Sequence, residues 1–153
     1  MKKLVLLLSC VFLLNSCEVD DDGPKFISYY SEVSEIDLPA YFEENEQYEI
    51  EVTYLLPTEC HQPVGLEVSR GGSTGEDYRD IYVVGVSRMD ASLGECGEEG
   101  TDVPATASFF ITIDRDEPYT FYLWEGIDEN DENIFTEIEV PVGEPEPSEG
   151  DTE

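Results

Sequence analysis

The sequence predicts an all-β protein, a single antiparallel β-sandwich of about seven strands, and three observations carry that prediction. Across residues 48–56, Tyr48, Ile50, Val52, Tyr54 and Leu56 alternate with Glu49, Glu51, Thr53 and Leu55. A period of two with acids on one side is the pattern of a half-buried strand. Short segments rich in aromatic and β-branched residues recur along the chain, separated by Gly, Pro, Asp and Asn, as a sandwich requires. No stretch carries a convincing amphipathic helical period.

The elements follow in order. Residues 26–33 (FISYYSEV) read as one edge strand, and Pro39 and the acidic run at Glu43, Glu44 and Glu46 punctuate the chain after it. The alternating strand 48–56 stops at Pro57. Residues 64–69 place Val64, Leu66 and Val68 on one face, and Gly71, Gly72 and Gly75 break the chain beyond. Residues 80–88 (DIYVVGVSR) are apolar on both faces, which suits a central strand or one under a loop. A long connection over 89–104 carries Gly94, Cys96, Gly97 and Gly100, and connections of that length are often functional. Residues 107–113 and 119–127 are strands joined by a turn, Asp114-Arg115-Asp116-Glu117-Pro118. The last strand, 134–142, sets Ile134, Thr136, Ile138, Val140 and Val142 on one face. The tail after Gly143, EPEPSEGDTE, has no apolar residue to offset ordering entropy and is expected to be disordered.

Within Tyr119 to Val142, the aromatic segment Phe121-Tyr122-Leu123-Trp124-Glu125-Gly126-Ile127 running into Asp128-Glu129-Asn130-Asp131-Glu132-Asn133 and then Ile138, Val140 and Val142 resembles the closing hairpin of bacterial immunoglobulin-like and fibronectin-type modules. That resemblance implies an immunoglobulin-like sandwich. It differs in replacing the Gly-Asn turn by an acidic one, and in placing Trp124 and the cysteines where an antibody-type domain does not.

At the other end of the chain, Lys2 and Lys3 precede an apolar run, residues 4–14, too short to span a bilayer, and Leu14-Asn15-Ser16-Cys17 follows. This layout resembles the signal peptide and lipobox of bacterial lipoproteins, which implies cleavage before Cys17 and lipidation of that cysteine. Leu7-Leu8-Ser9-Cys10 also fits a lipobox, but it would leave an apolar core shorter than the roughly 7–15 residues a signal needs. Several acyl chains at about 0.8 kcal/mol per buried CH2 would anchor the protein to a membrane. Glu18, Asp20, Asp21 and Asp22 then resemble the surface-export signal of Bacteroidota lipoproteins, which implies the outer membrane and its cell-surface or periplasmic face; as a bare charge run they are a solvated spacer. The expected organisation is therefore a signal peptide at 1–16, a lipidated cysteine and acidic spacer at 17–24, a sandwich at 25–142 and a tail at 143–153.

The chain of 153 residues has 37 acids against 7 Lys and Arg, a net charge of −30. Such a chain is repelled by phosphate backbones, which excludes nucleic acid as a partner. Cations, basic protein surfaces and neutral glycans remain, and acidity also serves simply to keep a displayed protein soluble. In an exported protein Cys60 and Cys96 are expected to form a disulfide. It would close a loop of about 37 residues and contribute roughly 3.5–4 kcal/mol in a chain-entropy model. A metal site of Cys60, His61 and Cys96 is the rival, but it lacks the paired spacing of structural zinc.

No catalytic constellation can be read. His61 is the single histidine, no nucleophile elbow or phosphate loop is present, and with 37 acids some carboxylate pair always lies at a suitable separation. The expectation is a protein that is not an enzyme and requires no cofactor. Calcium is the one metal the side chains admit, through Asp128, Asn130, Asp131, Glu132 and Asn133 or through Glu95, Glu98, Glu99 and Asp102, although neither follows EF-hand spacing. Tyr122 and Trp124 share one face of their strand. If Phe121 and Leu123 point inward, the pair forms an outward binding surface for a sugar or an envelope protein; the alternative is that Trp124 is core. The functional expectation is an anchored interaction or accessory module of an envelope complex, with a stand-alone calcium- or glycan-binding module as the alternative and a carboxylate-dependent hydrolase third.

Overall fold

Alternating polarity over Gln47–Leu56 forms the ten-residue strand β3, in the middle of a three-stranded sheet. Ile50, Val52, Tyr54 and Leu56 are buried, and Glu49 and Glu51 stay in water on the other side. The computed structural model describes residue 23 and residues 25–93 and 102–144. Cys10, Cys17, the acidic spacer, Glu95, Cys96, Glu98, Glu99 and the tail beyond Glu144 lie outside the described residues.

The expected first strand is two, β1 (Phe26–Ser31) and β2 (Val33–Ile36), which belong to different sheets. The reason lies at Glu32. Ser31 before it still pairs with Gly85 while Val33 after it pairs with Tyr54, so the chain passes from one sheet to the other there, and the Glu32 backbone carbonyl accepts a hydrogen bond from Leu55 N–H at 2.8 Å. The remaining strands are β4 (Gln62–Arg70), β5 (Asp80–Asp90), β6 (Val103–Thr112), β7 (Tyr119–Ile127) and β8 (Asn133–Val140). Among the described residues eight strands thus form two sheets, β2-β3-β6 and a larger one holding β1, β4, β5, β7 and β8. The ladders are antiparallel apart from β5–β7, which is parallel because β6 crosses to the other sheet between them.

The strand predicted to be central, β5, has that place. β4 lines one of its edges, while β7 and β1 share the other, β7 along residues 80–83 and β1 along residues 85–90. Ile81, Val83, Gly85 and Ser87 point into the core. There the Ser31 and Ser87 hydroxyls satisfy one another at 3.0 Å. On β4 only Leu66 of the predicted apolar trio packs on the core; Val64 is the extra residue of a bulge between Pro63 and Gly65, and Val68, level with Val83, stays exposed on the sheet's edge strand. On β8 the predicted face breaks in the same way. A bulge opposite Ile134, between Trp124 and Gly126, leaves Ile134 exposed while Ile138 and Val140 reach the core.

The 38–46 connection reads as mere punctuation in the sequence, yet it closes one end of the sandwich. Phe42 is fully buried against Tyr48, Tyr119 and Phe121, with centroids at 4.8, 6.1 and 6.0 Å. Its backbone is clamped by Pro141 O and Gly143 N–H at 2.9 and 2.8 Å. The long connection is shorter than expected: β5 runs on to Asp90, a 3-10 turn occupies Ala91–Leu93, and β6 begins at Val103.

Gly85 marks where the sheets press closest. A Cβ there would lie 2.7 Å from Ser31 O and 2.7 Å from the Cβ and ring of Tyr54. Its neighbours are backbone and a fully buried ring, neither free to move. Gly85→Ala is expected to destabilise the fold by about 1–3 kcal/mol, the range for overpacking a tight core. Equilibrium urea unfolding of the variant checks this, and an unchanged midpoint would contradict the contact.

Candidate functional site

Strand β7 sorts its side chains by parity. Tyr119, Phe121 and Leu123 are buried, and Thr120, Tyr122 and Trp124 lie on the opposite, half-exposed face. Burying Phe121 and Leu123 contributes about 1.5–3 kcal/mol each, which fixes the strand's orientation and turns Tyr122 and Trp124 outward.

The register of the larger sheet then adds rings that the sequence does not connect. Tyr82 of β5 is the Cα partner of Tyr122, and their rings stack at 4.7 Å with 13° between planes. Phe135 of β8, partner of Trp124, stands edge-on to Tyr82 at 5.4 Å and to Tyr122 at 6.3 Å. Tyr30 of β1, more than half exposed, meets Trp124 edge-on at 5.8 Å. Five rings from four strands thus form one strip on the outer face. Trp124 is held in place from its polar end, its Nε1–H donating to Asn133 Oδ1 at 2.9 Å.

Carboxylates border the strip. Glu67 is the partner of Val84, Glu137 of Tyr122, and Asp80 and Glu139 both pair with Thr120. Burial, followed by the negative charges of Asp80 and Glu137 and the neighbouring Tyr82, pushes the Tyr122 hydroxyl above its ordinary range. Tyr30, Tyr82 and Phe135 were not singled out from the sequence. Only parity could have found Phe135, which lies out of step with Ile138 and Val140, and Tyr82 sits in a strand apolar on both sides.

The acidic turn between β7 and β8 uses its oxygens on itself. Asp128 Oδ1 accepts from the backbone N–H of Asn130 at 2.7 Å and of Glu132 at 2.9 Å, and its Oδ2 accepts from Asn130 Nδ2 at 3.1 Å. These bonds hold the Asp128 carboxyl below its ordinary value. Asp131 takes the left-handed φ of 63° that lets the turn close without glycine. Asn133 is committed to Trp124. Among the described residues no three His, Cys, Asp or Glu side chains converge as a metal group.

Cys60 is held in a disulfide, and the cysteine expected to face it, Cys96, lies outside the described residues. His61 is buried beside it, with Nδ1 2.9 Å from Thr58 Oγ1 and its ring edge-on to Tyr29 at 4.8 Å. It braces the β3–β4 connection against β1.

A second cluster ties the β4–β5 and β6–β7 connections together. The Tyr78 and Tyr119 hydroxyls both donate to Asp114, each at 2.9 Å, while Arg70 lies 4.1 Å over the Tyr78 ring and donates to Tyr78 O at 2.8 Å. Beside it is a groove of about 290 Å³ lined by Val68, Arg70, Tyr78, Phe109, Phe110 and Asp114 among others. Burial raises the Asp114 carboxyl, but the two tyrosine hydroxyls, a backbone N–H and Arg115 together outweigh it and hold Asp114 below its ordinary 3.8. A carboxyl held low when folded binds fewer protons than in the unfolded chain. Its stabilising contribution is therefore complete above pH 3.8 and is lost as the pH falls through the lower folded value. Asp114→Asn is expected to lower the urea midpoint at neutral pH, with the gap from the parent closing below about pH 4. A gap that persists undiminished under strong acid would show that Asp114 acts there by packing alone.

Comparison of the chain with known protein families, with curated proteins and with solved structures finds no match.

Proposed function

We propose that the protein is a lipid-anchored envelope lipoprotein, held through Cys17 at the outer membrane, whose sandwich serves as an interaction module of a surface or periplasmic complex. It docks through the outer face of the larger sheet and carries no catalytic residue. The observation that supports this docking face is the parity of β7. Phe121 and Leu123 supply the core, so Tyr122 and Trp124 are released from it and join Tyr30, Tyr82 and Phe135 outside. Large aromatic rings gathered on an exposed face are the usual anchors of protein interfaces. The β7–β8 hairpin supports the immunoglobulin-like resemblance, and the disulfide at Cys60 suits an oxidising compartment. The anchor itself rests on the sequence layout around Cys17.

Site-specific photo-cross-linking on living cells tests the docking face. A cross-linker at Tyr30 is expected to capture an envelope partner, and one at Glu43, in the exposed connection at the sandwich end, is not. Capture from Glu43 alone would overturn the assignment. Trp124→Ala is expected to lose the capture while still folding, whereas Leu123→Ala should cost about 2–5 kcal/mol of stability as a core truncation. If Trp124→Ala unfolded the protein, the ring would belong to the core and not to a docking face. Cys17→Ala is expected to move the protein from the membrane to the soluble fraction on fractionation, and an unchanged distribution would refute the anchor.

A further inference from the structure

Resting on the docking face proposed above, we infer that its partner presents a cationic surface, arginine or lysine side chains that seat against the aromatic strip and pair with the carboxylates around it. Charge complementarity carries the inference. Glu67, Asp80, Glu137 and Glu139 surround the rings on three strands, each placed on the outer face by its register with an outward neighbour. Among the described residues Arg88 is the one cation whose strand position faces the same way, and it is already engaged 4.3 Å over the Phe26 ring, toward the far end of β1. The remaining arginines are gathered elsewhere: Arg70 and Arg115 lie against Tyr78, and Arg79 donates to Pro118 O at 2.6 Å.

The shape of the strip agrees with this chemistry. Tyr82 and Tyr122 are stacked on one another, so each gives one flat face to its neighbour, and carboxylates border the faces that remain. A guanidinium or ammonium group takes a ring face and pairs with a carboxylate beside it, the two groups this strip sets side by side. A second copy of this chain is disfavoured as the occupant, because each copy carries a net charge of −30 and like charges across an interface are costly.

Trp124 is the only tryptophan, so its emission reports on the strip directly. The full chain in detergent is titrated with a hexa-arginine peptide and, separately, with maltohexaose as an uncharged oligosaccharide. Calorimetry gives affinities for the parent, for Glu137→Gln/Glu139→Gln and for Glu43→Gln/Glu44→Gln, which removes the same charge away from the face. The expected result is a change in Trp124 emission with the peptide and binding weakened about fivefold or more in the first double variant, but less than about twofold in the second, with affinity falling as salt rises. Equal weakening in both double variants means that the peptide senses only the overall charge, which overturns the inference. A Trp124 response to maltohexaose and none to the peptide also overturns it, yet leaves the docking face standing. Failure of Tyr30-specific capture on cells, by contrast, removes the face itself and the inference with it.

Discussion

The two sheets depend on one close approach, the ring of Tyr54 seated on Gly85. Tyr54 comes from the central strand of the smaller sheet and is fully buried. Gly85 comes from the central strand of the larger one and leaves no room for even a methyl group. The tyrosine hydroxyl reaches across the core to the backbone of Gly65, where β4 bulges with a φ of 141° that suits glycine. Burial raises the Tyr54 hydroxyl above its usual range, partly offset by that backbone contact. One side chain thus spans both sheets and sets their separation around β5. Since β4, β1 and β7 all pair with β5, the position of every strand in the larger sheet follows from where Tyr54 places it.

From that packing come one tightly closed end and two different faces. Around the fixed centre, Phe42 closes one end of the core through a backbone clamp on Pro141 and Gly143. The Tyr78–Asp114–Tyr119 group ties two connections together through a shared carboxylate. The smaller sheet turns Glu49 and Glu51 of β3 outward, an ordinary solvated surface. The larger sheet turns out rings instead. In a chain so acidic, a cluster of five aromatic side chains on an outward face is a departure from the solubilising pattern, and it is bordered by the same acids that keep the rest of the molecule in water.

Much of the strand content was legible because period-two alternation reflects a local property of the backbone. β3 and β7 have almost the bounds that their residues predicted, and the outward pairing of Tyr122 with Trp124 follows from the burial of Phe121 and Leu123. Where a bulge intervened, the alternation misled. Val64 on β4 and Ile134 on β8 keep the right period on paper, but Val64 is itself the extra residue of a bulge and Ile134 lies opposite one. Phe42 was hidden for another reason: the Tyr41-Phe42 step between Pro39 and the acidic run has no periodicity, and only the clamp that buries Phe42 reveals its role. The split at Glu32 was equally invisible, because stepping between sheets changes the partners of the strand and not its composition.

By itself, then, the sequence determined that this chain is all-β, which residues alternate, and how far its charge is skewed, since those depend on near neighbours and on composition. The tertiary structure alone decided which strands share an edge, that β5 and β7 run parallel, and that Tyr30, Tyr82 and Phe135 join Tyr122 and Trp124. It also decided that the Asp128 carboxylate serves the β7–β8 turn. Tyr30 and Phe135 are more than a hundred residues apart in the chain, and only the hydrogen-bonded register across β1, β5, β7 and β8 brings their rings onto one surface.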